Sequence, residues 1–292
     1  MTLELAGPVG FVLGGGGVLG AAEAGMLRAL LEAGVRPDLV VGTSVGAINA
    51  AAVAADPTVA STARLVEVWQ RIAGAGVFGG PLWERAWTLL RTRTHLHGVQ
   101  PLRALLSERL TGPTGAQLLI EDLPVRYQCV AASIERAAEH WFTEGPLIDA
   151  VLASAAVPGV LPPVAIGGEH YLDGGLVNSI PIGRAAALGA RTIFVLQVGR
   201  IERALEPPRF PWEVALVAFE IARRHRFHSD LHTLAEGVTA YVLPTGVETQ
   251  PRYSDLSNLR YWDVGRIGDR VDQAYRASRD YLARLAEPAD RG

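Results

Sequence analysis

Three long stretches of this chain carry no charged side chain: Leu5–Ala22, Leu39–Ala55 and Ala150–Gly168. Runs of this length belong either across a membrane or inside a folded core. Their own residues decide between the two. The first is rich in glycine, the second holds Gly42, Thr43, Ser44 and Asn49, and the third holds three prolines. Each therefore reads as a buried strand–turn–helix segment, and no transmembrane helix is expected. Composition agrees, with 49% hydrophobic and 20% charged residues in 292. That mix excludes disorder for the bulk of the chain and supplies a core of several layers.

The first 55 residues set the fold class. Val9–Leu13 reads as a buried strand ending in four glycines, and Ala21–Leu31 as a helix stopped near Gly34. Leu39–Val41 reads as a second strand, with a helix over Val45–Ala55. Strand, glycine loop, helix, strand, turn, helix is the pattern of a parallel sheet covered by helices. Further helices are expected over Thr58–Ala73, Pro101–Leu110, Leu147–Ser154, Trp212–Glu236 and Gly268–Ala286. Further strands are expected over Val125–Ile134, His140–Thr143, Tyr171–Leu172, Arg191–Val198 and Thr239–Leu243. The expectation is a single domain over 1–292, with a motif-bearing core at about 9–200, an insert or lid at 74–100 and an extension at 201–287.

Charge excludes several functions. The net charge of −3 leaves no basic footprint for nucleic acid. All 27 basic residues are arginine, which excludes Schiff-base chemistry and a lysine-bearing phosphate loop. One cysteine excludes an internal disulfide and a cysteine-rich zinc site. The opening MTLELAGPVGFVLGGGG has no Arg-rich leader. No secretory signal is expected, and the expected location is the cytoplasm, with peripheral membrane contact left open.

Gly14–Gly20 reads GGGGVLG. Gly15, Gly17 and Gly20 satisfy the dinucleotide fingerprint, but successive glycine N–H groups opening into a helix also suit an oxyanion hole, and a plain tight turn needs glycine too. A dinucleotide site requires an acid where the second strand ends. Here Asp38 precedes that strand, which ends in Gly42-Thr43-Ser44.

Gly42-Thr43-Ser44-Val45-Gly46 is a G-x-S-x-G sequence. With 32 glycines, about 0.12 accidental matches are expected, so context must carry the motif. The context is right, because Ser44 falls at a strand-to-helix turn and the following helix aims its positive end at an attacked carbonyl. A serine nucleophile needs a base. None of His95, His97, His140, His170, His225, His228 and His232 sits in a convincing base-bearing loop. His225, His228 and His232 read as a solvated basic helix face, and His170 lies beside the next motif. That motif is Leu172-Asp173-Gly174-Gly175, an aspartate at a strand end with little steric cover. It is either an Asx-capped turn or a carboxylate whose burial would raise its pKa enough to serve as base.

These motifs, in this order, resemble the patatin-like phospholipases, acyl-ester hydrolases. Gly14–Gly20 is similar to the family's oxyanion loop. Gly42–Gly46, continued by Ala47-Ile48-Asn49-Ala50-Ala51, is similar to its nucleophile elbow. Ser154–Pro163 resembles the stretch ahead of its aspartate, and Asp173-Gly174-Gly175 its D-G-G, followed by Asn178 and Pro181. The resemblance covers roughly 9–200. It implies an α/β fold, a three-layer α/β/α sandwich around a mainly parallel sheet. It implies Ser44 as nucleophile, Asp173 as base, and an oxyanion hole from Gly15, Gly16 and Gly17, above all Gly16 and Gly17. Gly42, Gly46, Gly174 and Gly175 support these motifs. No cofactor and no metal are implied.

The sequence departs from the pattern at Leu19, where the family carries Arg or Lys before the last glycine. That bears on binding of an anionic substrate more than on hydrolysis. Leu82, Trp83, Ala86, Trp87 and Leu90 share one face of a possible helix, flanked by Arg85, Arg91 and Arg93. The face reads as a lid meeting lipid or as a packed helix, and Trp212, Val214, Leu216, Val217 and Phe219 pose the same question. The expected function is hydrolysis of lipid or lysophospholipid esters. The alternatives are an inactive binding or regulatory protein of the same fold and a nucleotide-dependent oxidoreductase.

Overall fold

The first charge-free run forms the centre of a sheet. A computed structural model of the chain describes residues 3–74, 87, 88, 90–111, 116–198, 204–246 and 265–287. Among them the strands are β1 (Val9–Leu13), β2 (Leu39–Thr43), β3 (Arg126–Ser133), β4 (Ala138–Phe142), β5 (Val164–Ile166), β6 (Glu169–Asp173), β7 (Thr192–Leu196) and β8 (Thr239–Val242). The helices are α1 (Ala21–Glu32), α2 (Val45–Ala55), α3 (Val59–Ala73), α4 (Gln100–Arg109), α5 (Leu147–Ser154), α6 (Ile182–Ala187), α7 (Pro211–His232) and α8 (Gly265–Ala286).

The strands form one sheet in the order β5-β6-β3-β2-β1-β7-β8, with β4 also paired to β3. β3, β2, β1, β7 and β8 run parallel, while β4, β5 and β6 add antiparallel pairs at one end. Chain order runs outward from β1 to β2 and β3 on one side and later to β7 and β8 on the other. The carboxyl end of β1 is thus a topological switch point, where open α/β sheets leave a crevice for ligands.

Alternation along the buried strands builds two cores. Phe11, Leu13, Val40, Phe194 and Leu196 face one side, where they join Met26, Leu30, Ile48, Trp69 and Ala274. Val12, Val41, Ile193 and Val195 face the other, against Ile182, Ala185 and Phe227. Helices α1, α2, α3 and α8 supply the first layer and α6 and α7 the second, so the molecule is the expected α/β/α sandwich.

Two elements carry no expectation from the sequence. β5 is only three residues long, and α6 only six, between Pro181 and Gly189. The long helix α7 also ends at His232, earlier than Glu236. Of the 74–100 segment, Leu82, Trp83 and Ala86 lie outside the described residues, whereas Trp87 and Leu90 are 64% and 73% exposed. The segment returns to the core where His95 bridges Gly159. On α7, Val214 is exposed and Val217 is buried, and the side chains of Trp212, Leu216 and Phe219 lie outside the described residues. Among the described residues, no helix is long and apolar enough to cross a membrane.

Helix α1, which follows the glycine loop, is clamped from outside by α8. The contact point is Gly25, where an added Cβ would strike the Val271 carbonyl and lie 2.9 Å from Tyr275 N. Helix propensity alone favours alanine there by about 0.8–1 kcal/mol, whereas overpacking costs about 1–3 kcal/mol. Gly25→Ala is expected to lower the melting temperature, read by circular dichroism. A raised melting temperature would mean that α8 does not sit this close.

Candidate active site

The site begins with a strained residue. Ser44 joins β2 to α2 with φ 57° and ψ −126°, a left-handed conformation that costs a non-glycine residue about 1–3 kcal/mol. Several contacts hold it there. Thr43 Oγ1 donates to the Asn178 carbonyl at 2.8 Å, and the Ser44 N–H donates to Ser154 Oγ at 2.9 Å. Tyr127 donates its hydroxyl to the Ala47 carbonyl at 3.1 Å. The turn is also pressed against the glycine loop. A Cβ on Gly46 would collide with the Leu13 carbonyl, and one on Gly42 would lie 2.6 Å from Ala47 Cα. Only glycine permits this backbone approach, which explains both glycines of the G-x-S-x-G sequence.

Strand β3 brings the second group to the first. Its residue Val130 pairs with Thr43 of β2, and its next residue, Ala131, pairs with Asp173 of β6. The two strand ends therefore meet on adjacent rungs. Ser44 Oγ donates to Asp173 Oδ2 at 2.6 Å, with both residues buried, at 4% and 6% exposure. The other carboxylate oxygen, Oδ1, accepts the Gly175 N–H at 2.7 Å, which fixes the carboxylate plane. Gly174 lies so close to β3 that a Cβ would collide with the Val130 carbonyl.

Burial pushes the Asp173 carboxyl up to about 6 from an ordinary 3.8, with the hydrogen bonds from Ser44 and Gly175 opposing. A carboxyl poised there is ionised at neutral pH yet a far better base than one in water.

Five of the seven histidines have other settings. His170 and Asp173 are three residues apart on β6 and so face opposite sides of the strand. His170 Nδ1 instead meets Glu135 Oε1 at 2.7 Å. His140 packs between Phe142 and Tyr171 at ring distances of 4.6 and 4.9 Å. His225, His228 and His232 are exposed on α7.

The glycine loop lies beside Ser44, since a Cβ on Gly15 would sit 3.4 Å from Ser44 Cβ. Its backbone donors divide into two groups. The Gly14 N–H donates to the Leu196 carbonyl and the Gly15 N–H to the Ser179 carbonyl, both at 2.9 Å. Of the three glycines expected to line an oxyanion hole, Gly15 is thus an anchor whose donor is engaged. Gly16 and Gly17 lead into a 3-10 turn at Gly17–Gly20, whose first N–H groups have no carbonyl behind them within the turn. Leu19 packs against the core. A cavity of about 280 Å³ lies at the far end of α2, lined in part by Ala52, Ala55, Arg64, Leu106 and Arg109, and includes neither Ser44 nor Asp173.

Sequence reasoning does not assign Ser154, Ser179 and Thr43 their parts in holding this turn. Ser154 stands at the head of the stretch Ser154–Pro163, which marks the region without revealing a bond to a residue 110 positions away.

The patatin-like phospholipase family model matches residues 11–186, a span that contains Ser44, Asp173 and the glycine loop. The chain belongs to the patatin-like phospholipase family. It is 27% identical to the lysophospholipase NTE1 of Phaeosphaeria nodorum, over 96% of this chain and 18% of that protein. It is 35% identical to the patatin-like phospholipase domain-containing protein ZK370.4 of Caenorhabditis elegans, over 66% of this chain and 14% of that protein. The chain thus spans less than a fifth of the curated relatives it matches. A solved structure, VipD from Legionella pneumophila, superposes with a TM-score of 0.46 at 14% identity, over 95% of this chain and 66% of that one.

The buried carboxyl gives a stability prediction. Unfolded, Asp173 titrates near 3.8; folded, near 6. Between those values the folded chain holds a proton that the unfolded chain has released, so the stability from the protonated form is lost as pH rises through about 6. Asp173→Asn keeps a neutral group throughout. Its melting temperature relative to the parent is expected to rise from pH 4 to pH 8, as read by scanning calorimetry. A pH-independent difference would contradict the raised pKa.

Proposed function

We propose that the protein is a serine hydrolase of lipid or lysophospholipid acyl esters, working through a Ser44–Asp173 dyad. The observation that carries this reading is the 2.6 Å hydrogen bond between Ser44 Oγ and Asp173 Oδ2 within a buried site. Family membership and the lysophospholipase names of its relatives support the substrate class.

Asp173 Oδ2 takes the hydroxyl proton as Ser44 Oγ attacks the ester carbonyl carbon. The carbonyl oxygen becomes an oxyanion, which the Gly16 and Gly17 N–H groups receive with help from the positive end of α2. Each such donor is worth about 2.7–4 kcal/mol in comparable sites. Collapse breaks the bond to the leaving alcohol, which takes the proton from Asp173. Water then attacks the acyl-enzyme, giving a proton to Asp173 and its oxygen to the acyl carbon. Collapse of the second oxyanion returns that proton to Ser44 and frees the fatty acid. The Gly175 N–H keeps Asp173 aimed at Ser44 through both halves.

A fluorophosphonate probe is expected to label Ser44, and labelling should vanish in Ser44→Ala. Ser44→Ala is expected to abolish ester hydrolysis, and Asp173→Asn to lower kcat/KM by at least about a thousandfold, both with folding intact. For the parent, kcat/KM should fall as pH drops below about 6, where Asp173 takes up its proton. Near-normal turnover by Ser44→Ala would remove Ser44 from the reaction.

A second prediction concerns the base. Replacing His225, His228 and His232 together with glutamine is expected to leave kcat/KM within about tenfold. A loss as deep as that of Ser44→Ala would mean that the proton goes to one of them.

A further inference from the structure

Behind the glycine loop lies a buried acid that the proposed reaction does not use. Glu23, in the first turn of α1, follows directly on the first charge-free run, yet it is completely buried. Its Oε2 accepts from Asn49 Nδ2 at 2.7 Å. The same Nδ2 donates to the Gly20 carbonyl at 2.9 Å, and Asn49 Oδ1 accepts from Trp69 Nε1 at 2.9 Å. Asn49 and Trp69 are as deeply buried as Glu23.

This network ties α1, α2 and α3 to one residue, Gly20, the last of the glycine loop. Gly20 has no slack. An added Cβ would lie 2.7 Å from Val45 Cγ2 and 3.0 Å from Trp69 Cζ2. Val45 is the residue after Ser44, and Asn49 lies on the helix that Ser44 begins. The same few bonds therefore fix both the loop and the turn that faces it.

Burial pushes the Glu23 carboxyl well above the usual carboxylate range, against the Asn49 bond and the Gly14 backbone. No cation is among the groups acting on it, and Oε1 makes no hydrogen bond of ordinary geometry. Burial of this kind disfavours the ionised carboxylate relative to one at the surface.

We propose that Glu23, acting through Asn49 and Trp69, is a positioning residue that sets the glycine loop at the distance from Ser44 required to receive the oxyanion. This rests on the reading of Ser44 as nucleophile and of the loop as its oxyanion cradle. Glu23 touches no reacting atom. It acts on the rate of the chemical step and not on substrate binding.

The test uses the full chain, a soluble p-nitrophenyl ester and a fluorophosphonate probe. Glu23→Gln keeps a polar group of the same shape with an oxygen to accept from Asn49, and its kcat is expected to stay within about threefold of the parent. Glu23→Leu keeps the volume but leaves Asn49 Nδ2 with the Gly20 carbonyl alone, one of its two acceptors being lost. Its kcat is expected to fall at least about tenfold, with KM within about twofold and slower labelling of Ser44. Trp69→Phe removes the indole donor and the ring edge that faces Gly20, and kcat should fall about threefold or more at unchanged KM. Parent-like kcat in folded Glu23→Leu would overturn the proposal, as would Glu23→Gln falling as far as Glu23→Leu. If Glu23→Leu does not fold, Trp69→Phe decides: reduced kcat supports the proposal and unchanged kcat overturns it. Absence of labelling in the parent itself would be a failure of the Ser44 reading, seen before any variant is compared, and would take this proposal with it.

Discussion

Strand β3 is the constraint on which the rest of the site depends. Two of its consecutive residues, Val130 and Ala131, pair with the last residue of β2 and the last residue of β6. That junction, where a parallel strand and an antiparallel strand both end, leaves a hydroxyl and a carboxylate facing each other with no room for an intervening imidazole. The close backbone contact at Gly174 holds the junction together. The pair is buried where the two strands end, and burial raises the pKa of the aspartate, as the proposed base requires. The proposed dyad without histidine fits this placement. The acid is already within reach of the hydroxyl, and its basicity comes from burial.

Much of this was legible in the sequence, and the reason is local. The charge-free runs mark buried segments because any charge in them would lack a partner. The G-x-S-x-G and D-G-G sequences are visible because close backbone approach admits only glycine at Gly46 and Gly174. What was illegible is the long-range hydrogen bonding. Ser154 is an unremarked serine until the fold brings its hydroxyl to the Ser44 N–H, and nothing around Gly15 announces that its N–H will meet the Ser179 carbonyl. β5 and α6 are too short for periodicity to register, although Pro181 and Gly189 bracket α6 with ordinary start and stop signals. Glu23 is illegible too. No motif in the sequence assigns this glutamate a place, and the fold closes over it.

The glycine loop shows how a flexible composition becomes a rigid object. Gly14 and Gly15 fasten its near end to the carbonyls of Leu196 and Ser179, and Gly20 is wedged between Val45 and Trp69 at its far end. Leu19 adds an apolar side chain packed into the core. Leucine at that position adds packing against the core and leaves the backbone donors as they are. The loop's stiffness therefore does not require the arginine or lysine that the family carries there.

The separation of the two dyad residues along the chain has a consequence for synthesis. Ser44 leaves the ribosome 129 residues ahead of Asp173. A nascent or truncated polypeptide ending before β6 holds the alcohol without the acid, and a loosely collapsed one holds both without their contact. On the proposed mechanism, chemical competence is withheld until the sheet has closed around residues 131 and 173, so that reactivity would report completion of the fold.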